Sequence, residues 1–273
     1  MFSYVIMTRF NLATPGKEAA IRTQAGWLEG RFHLFETYCL PSVAAQRNTA
    51  FNWIIYFDVD TPDIFKHRIT ALQKIFPFHA YYTPLFRGEG WNRSLRETYP
   101  LQEKLLLTTR LDNDDALPVD FTERLQAAVQ ANQFKPGAYN FRNGLIRQGD
   151  ALYAIEHPKN AFFSRLEPVD GDLRPAPAIP HMQLDAYGPI NQIEGAPGWL
   201  QIVHETNVSN KVRGKRVAPD PYLNLFPQQV MEGLSHPSSF DLMAQNFIQT
   251  PLWSLRDRMV EIWRMKGSRR KQG

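Results

Sequence analysis

The sequence predicts an α/β protein built on a doubly wound, mostly parallel sheet with a small antiparallel portion. Three observations predict it. Through residue 131, short apolar runs rich in β-branched and aromatic residues alternate with segments of helical periodicity, the order that builds parallel strand–helix units. After Lys135-Pro136-Gly137 the pattern changes to closely spaced strands meeting at Gln148-Gly149-Asp150, a hairpin signal. The fourth apolar run ends directly on Asp112-Asn113-Asp114-Asp115, and open α/β sheets bind ligands beyond the carboxyl ends of their strands.

The elements follow in order. Ser3 to Thr8 reads as a first, buried strand. Phe32 to Gln46 has roughly helical spacing, with Pro41 expected to kink or interrupt it. Phe51 to Phe57 is the second strand and ends on Asp58. Thr61-Pro62-Asp63 introduces a helix over Ile64 to Ile75, with Pro at its first turn. A third strand lies around Ala80 to Thr83, and Arg87 to Pro100 reads as a loop leading towards a helix. Leu105 to Leu111 is the fourth strand. Asp120 is placed to cap a helix over Phe121 to Ala131, with Glu123 completing a capping box. Ala138 to Arg147 and Ala151 to Glu156 form the two hairpin strands, Glu167 to Pro180 is a Pro-rich loop, and Leu200 to Val203 is a last strand ending at His204. The division expected is one domain over 1–235 and a helical C-terminal extension over 236–273.

At 273 residues the chain is long enough to bury a sizeable core. No apolar run approaches the roughly 20 residues of a membrane span. The start, MFSYVIMTRFN, has no basic region ahead of its apolar stretch and reads as a strand, not a signal peptide. The lone Cys39, among Phe35, Leu40 and Val43, excludes a disulfide framework and a multi-cysteine metal site, and it fits a reducing cytoplasm. The net charge of +4 is a property of the tail: from Arg256 onward seven basic residues face only Asp257 and Glu261, which leaves the body slightly acidic. Nucleic-acid binding by the body therefore loses its electrostatic basis.

Three carboxylates in four positions repel one another unless a cation neutralises them. Asp112 and Asp114, two residues apart in the turn after a strand, can converge on one ion, and oxygen ligands of this kind suit Mg²⁺, Mn²⁺ or Ca²⁺. An EF-hand is excluded, because its required Gly position falls on Leu117, although Glu123 stands at its Glu position. A solvated turn that caps the next helix is the plain alternative. A cation held by two Asp can bridge a nucleotide diphosphate and stabilise the charge of its departure, as sugar transfer demands. Phosphoryl transfer makes a similar demand, but neither a G-x-x-x-x-G-K-[ST] loop nor a Gly-rich dinucleotide fingerprint is present.

The segments TRFN (Thr8 to Asn11), LPSVAAQ (Leu40 to Gln46), FNWIIYFDVDTP (Phe51 to Pro62), TTRLDNDDAL (Thr108 to Leu117) and VHETNVSN (Val203 to Asn210) resemble the bacterial putative rhamnosyltransferase family, a branch of the GT-A glycosyltransferases. The resemblance spans roughly residues 1–215. It implies a GT-A-like fold, a nucleotide-sugar donor, a glycan or glycolipid acceptor, and a metal, Mn²⁺ or Mg²⁺, on Asp112 and Asp114. By the same resemblance Asp58 meets the nucleoside and Thr8 and Arg9 border its pocket. Asn113 stands beside the donor, Arg110 either pairs with a carboxylate of the cluster, the favoured reading, or contacts the donor, and His204 completes the metal shell or touches the diphosphate. Asn207, Asn210, Lys211 and Arg213 form a polar and basic wall for the phosphates. An inverting transferase also needs a carboxylate base, and among Glu167, Asp170, Asp172, Asp185 and Glu194 the favoured residue is Asp185, which follows a long loop. The rival classes are a metal-dependent phosphotransferase or phosphodiesterase, and a non-catalytic carbohydrate-binding protein. Leu252, Leu255, Met259, Ile262 and Met265 recur near helical spacing among arginines. They form either a packed helix or an amphipathic one resting at the inner face of the membrane of a cytoplasmic, peripheral protein.

Overall fold

The computed structural model describes residues 1–13, 21–84, 90–204 and 213–246. Asn207, Asn210, Lys211 and the helix expected over Leu252 to Met265 lie outside these residues, as does everything beyond residue 246. A seven-stranded sheet has the order β3-β2-β1-β4-β8-β5-β9, and a four-stranded sheet has the order β10-β6-β7-β11. The strands are β1 (Phe2–Arg9), β2 (Asn52–Phe57), β3 (His79–Tyr82), β4 (Leu105–Asp112), β5 (Gly137–Phe141), β6 (Asn143–Gln148), β7 (Ala151–Glu156), β8 (Ser164–Pro168), β9 (Ile190–Ile193), β10 (Leu200–Val203) and β11 (Lys215–Val217).

Strands β1 to β4 pair in parallel, and Arg9 at the end of β1 lies opposite Asp112 at the end of β4. Both faces of these strands are apolar, and the two faces pack against different helices. Tyr4, Ile6 and Phe10, with Trp53, Ile55 and Phe57, face Phe32, Phe35, Phe121 and Leu125. Val5, Met7, Ile54, Tyr56 and Leu106 face Leu95 and Trp91 of the helix Gly90–Thr98. Period-2 alternation with apolar residues on both sides is what a sheet covered by helices on both faces requires. The doubly wound, mostly parallel α/β architecture is therefore the observed one.

One helical run matters for the site. Trp27–Leu34 is α-helical, Phe35–Cys39 is a π-helical turn, and Leu40–Ala44 resumes the α-helix. The Leu40 N–H reaches back five residues to the Phe35 carbonyl. Pro41 brings no N–H and its ring needs the preceding turn opened. The π turn interrupts the α-helical pattern just before Pro41 and provides that space, and the helix continues through Pro41 to Ala44. Phe10 anchors the run to β1, with its ring 4.6 Å from Phe32 and 5.3 Å from Phe35.

Three expectations need correction. The segment Ala138 to Arg147 is two strands: β5 joins the large sheet and β6 the small one. The chain changes sheets at Arg142, whose carbonyl accepts the His157 N–H while the Phe141 carbonyl accepts Asn160 Nδ2 and Trp199 Nε1. The hairpin itself joins β6 to β7, with Gly149 at φ 58° in the turn. The loop expected from Glu167 begins inside a strand, because β8 inserts antiparallel between β4 and β5 and buries Glu167. The capping box at Asp120 does not form; Asp120 makes no side-chain cap, and Gln46 Oε1 accepts the Thr122 N–H at 3.0 Å instead.

Candidate active site

The carboxyl ends of β1, β4 and β10 meet at the Asp cluster. Asp115 builds the junction. Its Oδ1 accepts the Ile202 N–H at 2.9 Å, while Ala116 and Leu200 exchange two backbone hydrogen bonds at 2.9 Å. These bonds fix β10 beside the turn, and His204 arrives two residues past Ile202 with Nε2 2.9 Å from Asp114 Oδ2. Burial, and then the charges of Asp114 and Asp112, push the Asp115 carboxyl well up, and its bond to Ile202 makes this third carboxyl a structural group.

The two other carboxylates are bound by arginine. Asp112 Oδ2 accepts from Arg110 Nη2 at 2.8 Å, and Arg9 Nη2 stands 3.9 Å from Oδ1. Burial raises the Asp112 carboxyl, but Arg110 and Arg9 outweigh it and hold it below the ordinary carboxylate range. Asp114 Oδ2 accepts from Arg31 Nη1 at 2.8 Å, in a setting where the Asp114 side chain is 13% and Arg31 18% exposed. The same Nη1 lies 3.3 Å from Asn113 Oδ1. Asn113 is buried and its Nδ2 donates to the Phe10 carbonyl at 2.6 Å, so it holds the turn to β1. Cys39 is buried beneath this cluster, its thiol pushed up first by burial and then by the charges of Asp115, Asp114 and Asp112.

Beside the cluster lies a cleft of about 320 Å³ lined by Asn11, Arg22, Trp27, Asp58, Asp60 and Thr61, among others. Asp58 is held from three sides. Asn11 Oδ1 accepts its N–H, its Oδ1 accepts the Asp60 N–H, and its Oδ2 accepts Arg22 Nη2 at 2.7 Å. Trp27 lines the cleft, with the Arg22 guanidinium 6.0 Å from its ring and the guanidinium of Arg31, which pairs with Asp114, 5.6 Å from it.

The remaining expected residues fall as follows. Thr8 is fully buried and accepts Trp53 Nε1 at 3.0 Å, which turns its hydroxyl into the core and away from the cleft. Arg213 is exposed. Asp185 stands on a 3-10 turn (His181–Tyr187), exposed and bonded to Lys159 Nζ at 2.9 Å, which lowers its pKa and makes it a weaker base. His157 and His181 lie in the electrostatic neighbourhood of Arg213 and Arg110 respectively, and burial first, then these charges, lower both. Sequence reasoning missed Arg22, Arg31 and Trp27. They lie in a stretch with weak periodicity, and only folding places them over the strand ends.

Asp112, Asp114 and His204 bear on the implied divalent cation. Among the described residues, no group of three or more His, Cys, Asp and Glu side chains is arranged to hold an ion. Asp114 Oδ2 and His204 Nε2 are nevertheless 2.9 Å apart, the spacing of two adjacent ligands around an octahedral ion with bonds of about 2.1 Å. Mg²⁺ commonly takes one or two protein ligands and the rest from waters and substrate phosphates. The residues fit a cation that comes with a diphosphate, not one caged by the protein alone.

The sequence profile of the family described as putative rhamnosyl transferase matches residues 1–216, and the chain belongs to that family. No curated protein matches it in sequence. Among solved structures it is similar to Staphylococcus aureus TarS 1–349, at 8% identity and a TM-score of 0.45 over 73% of this chain and 60% of that one. The same protein in complex with UDP is similar at 12% identity and a TM-score of 0.45, over 93% of this chain and 75% of that one. A putative nucleotide-diphospho-sugar transferase from Desulfovibrio desulfuricans G20 is similar at 11% identity and a TM-score of 0.33, over 73% of this chain and 80% of that one. Among the described residues no helix is long and apolar enough to cross a membrane.

Proposed function

We propose that this protein is a glycosyltransferase that moves a hexose or deoxyhexose from a nucleotide diphosphate sugar to a hydroxyl of a glycan or lipid-linked acceptor. The observation that carries the reading is the junction of β4 and β10, where Asp114 and His204 meet at ligand spacing beside the cleft that holds Asp58. Asp114 and His204, with Asp112 next to them, would hold Mn²⁺ or Mg²⁺. When bound, that cation supplies Lewis-acid stabilisation of the leaving diphosphate.

The chain's own residues do the rest. Asp58 and Asn11 offer an acceptor and a fixed polar rim for the nucleoside. Arg9, Arg31 and Arg110 set three guanidiniums around two carboxylates, a surplus of positive charge that suits an anionic donor. Asn207, Asn210, Lys211 and Arg213 follow His204 in the chain and are assigned to the phosphates by the family resemblance. Asp185 is assigned to the acceptor side, where it takes a hydroxyl proton once Lys159 is displaced. A lipid-linked acceptor would bring the apolar and basic C-terminal segment to the inner face of the membrane.

Calorimetric titration of UDP, GDP and dTDP tests this, with and without Mn²⁺, against the native protein and an Asp112→Ala/Asp114→Ala double variant. One nucleotide is expected to bind only with the metal and only to the native protein. Binding that ignores both metal and Asp pair refutes the reading, and turnover that releases inorganic phosphate instead of nucleoside diphosphate moves the protein to phosphoryl transfer.

A further inference from the structure

We infer that Arg31 occupies, in the nucleotide-free protein, the position that the cation takes in the donor complex, and that it then serves the diphosphate. This rests on the transferase reading above and adds to it a residue and an order of binding.

Arg31 Nη1 and His204 Nε2 approach the same atom, Asp114 Oδ2, at 2.8 and 2.9 Å. In the arrangement observed, Oδ2 is the Asp114 oxygen at ligand spacing from His204 Nε2, so an ion held between these two side chains there contacts it as well. A guanidinium at 2.8 Å and a divalent cation at about 2.1 Å cannot both keep it, because their positive charges would lie within a few ångströms of each other in a sheltered site. The cation therefore enters only as Arg31 leaves. Leaving costs a charge-assisted hydrogen bond between two side chains that are both less than one-fifth exposed. A free cation has nothing to offer Arg31 in return.

A diphosphate does. The Arg31 guanidinium stands 5.6 Å from the Trp27 ring, and Arg22, which holds Asp58 in the cleft, stands 6.0 Å from the same ring. A nucleotide with its base in the cleft and its phosphates at Asp114 must pass Trp27. Arg31 released from Asp114 is then already beside the phosphate oxygens, which accept its planar fork in two bonds. The ion pair that suppresses metal binding without nucleotide becomes a phosphate clamp with it. Metal and nucleotide thus bind together, and neither is held well alone.

The test compares the native protein with Arg31→Gln, which keeps a donor for Asp114 and removes the charge, and Arg31→Lys, which keeps the charge and removes the fork. The spin resonance signal of free Mn²⁺ reads ion binding without nucleotide, calorimetry with Mn²⁺ reads UDP, GDP and dTDP, and circular dichroism establishes the fold. Arg31→Gln is expected to bind Mn²⁺ alone about tenfold more tightly than the native protein and the diphosphate about tenfold more weakly. Arg31→Lys is expected to bind Mn²⁺ alone as weakly as the native protein. Mn²⁺ affinity that is unchanged or lower in a folded Arg31→Gln overturns the inference, as does unchanged diphosphate affinity. If no nucleotide binds the native protein, the transferase reading fails on that result, while the Mn²⁺ comparison still decides whether Arg31 stands in the cation's place.

Discussion

Gln46 is expected to matter more to this fold than the Asp that the sequence marks as a helix cap. The residue is 4% exposed and its side chain makes three hydrogen bonds: Nε2 donates to the carbonyls of Ser42 at 2.9 Å and Pro118 at 2.7 Å, and Oε1 accepts the Thr122 N–H at 3.0 Å. Thr122 is the second residue of the helix Phe121–Ala131, so its N–H has no partner inside the helix. Gln46→Ala leaves that N–H buried without its acceptor, at about 1–3 kcal/mol, and removes a donor from two carbonyls at about 0.5 kcal/mol each. The expected loss is about 3 kcal/mol, or about 6–12 °C in melting temperature for a chain somewhat above 250 residues. Asp120→Ala removes only a 3.4 Å contact with Arg124 and is expected to cost less than about 1 kcal/mol. Thermal unfolding followed by circular dichroism measures both. If Asp120→Ala melts lower than Gln46→Ala, the long-range cap is wrong and the local capping box is right. Pro118 lies three residues past Asp115, so Gln46→Ala should also weaken metal-dependent nucleotide binding.

Three further outcomes are expected. A Cβ on Gly144 would lie 2.0–2.3 Å from Trp199 ring atoms, so Gly144→Ala must displace a ring stacked at 4.9 Å on Phe162; a loss of about 3 kcal/mol or more is expected from thermal melts, with altered tryptophan emission. His157 Nδ1 accepts the Lys159 N–H, and burial followed by Arg213 lowers its pKa. A folded-state pKa below the unfolded value means that its contribution is present above about pH 6.5 and is lost as pH falls through the lowered value. The melting temperature of native protein should therefore fall more between pH 7 and 5 than that of His157→Gln, and equal falls would exclude His157 as a source. Asp185→Asn should lower turnover by about 100-fold or more while leaving nucleotide affinity unchanged, and a smaller loss measured in steady-state assays removes Asp185 from the proton transfer.

The sequence by itself determined the elements whose signals are local. The runs over Phe2–Arg9, Asn52–Phe57 and Leu105–Asp112 are apolar on both faces, and this is enough to require a parallel sheet covered on both sides. The helix over Phe121–Ala131 and the position of the Asp cluster at the end of a strand were legible for the same reason. Tertiary structure decided what depends on distant partners. A residue such as Ser164 or Glu167 pairs with β4 across about sixty residues, and no periodicity within SRLEP announces that pairing. The break at Arg142 depends on Trp199 and Asn160, and the helix cap on Gln46 comes from another element. The candidate site divides in the same way. Asp58, Asp112, Asp114 and His204 end strands and could be read from the chain. Arg31 and Trp27 reach the candidate site because a helix with a π turn, anchored through Phe10 and Phe32, carries them there; Arg22, ahead of that helix, is placed by its pairing with Asp58, and Asp115 by its bond to β10. Hydrophobic patterning records which face of an element is buried, but it does not record which charges the packing then brings within 3 Å of one another.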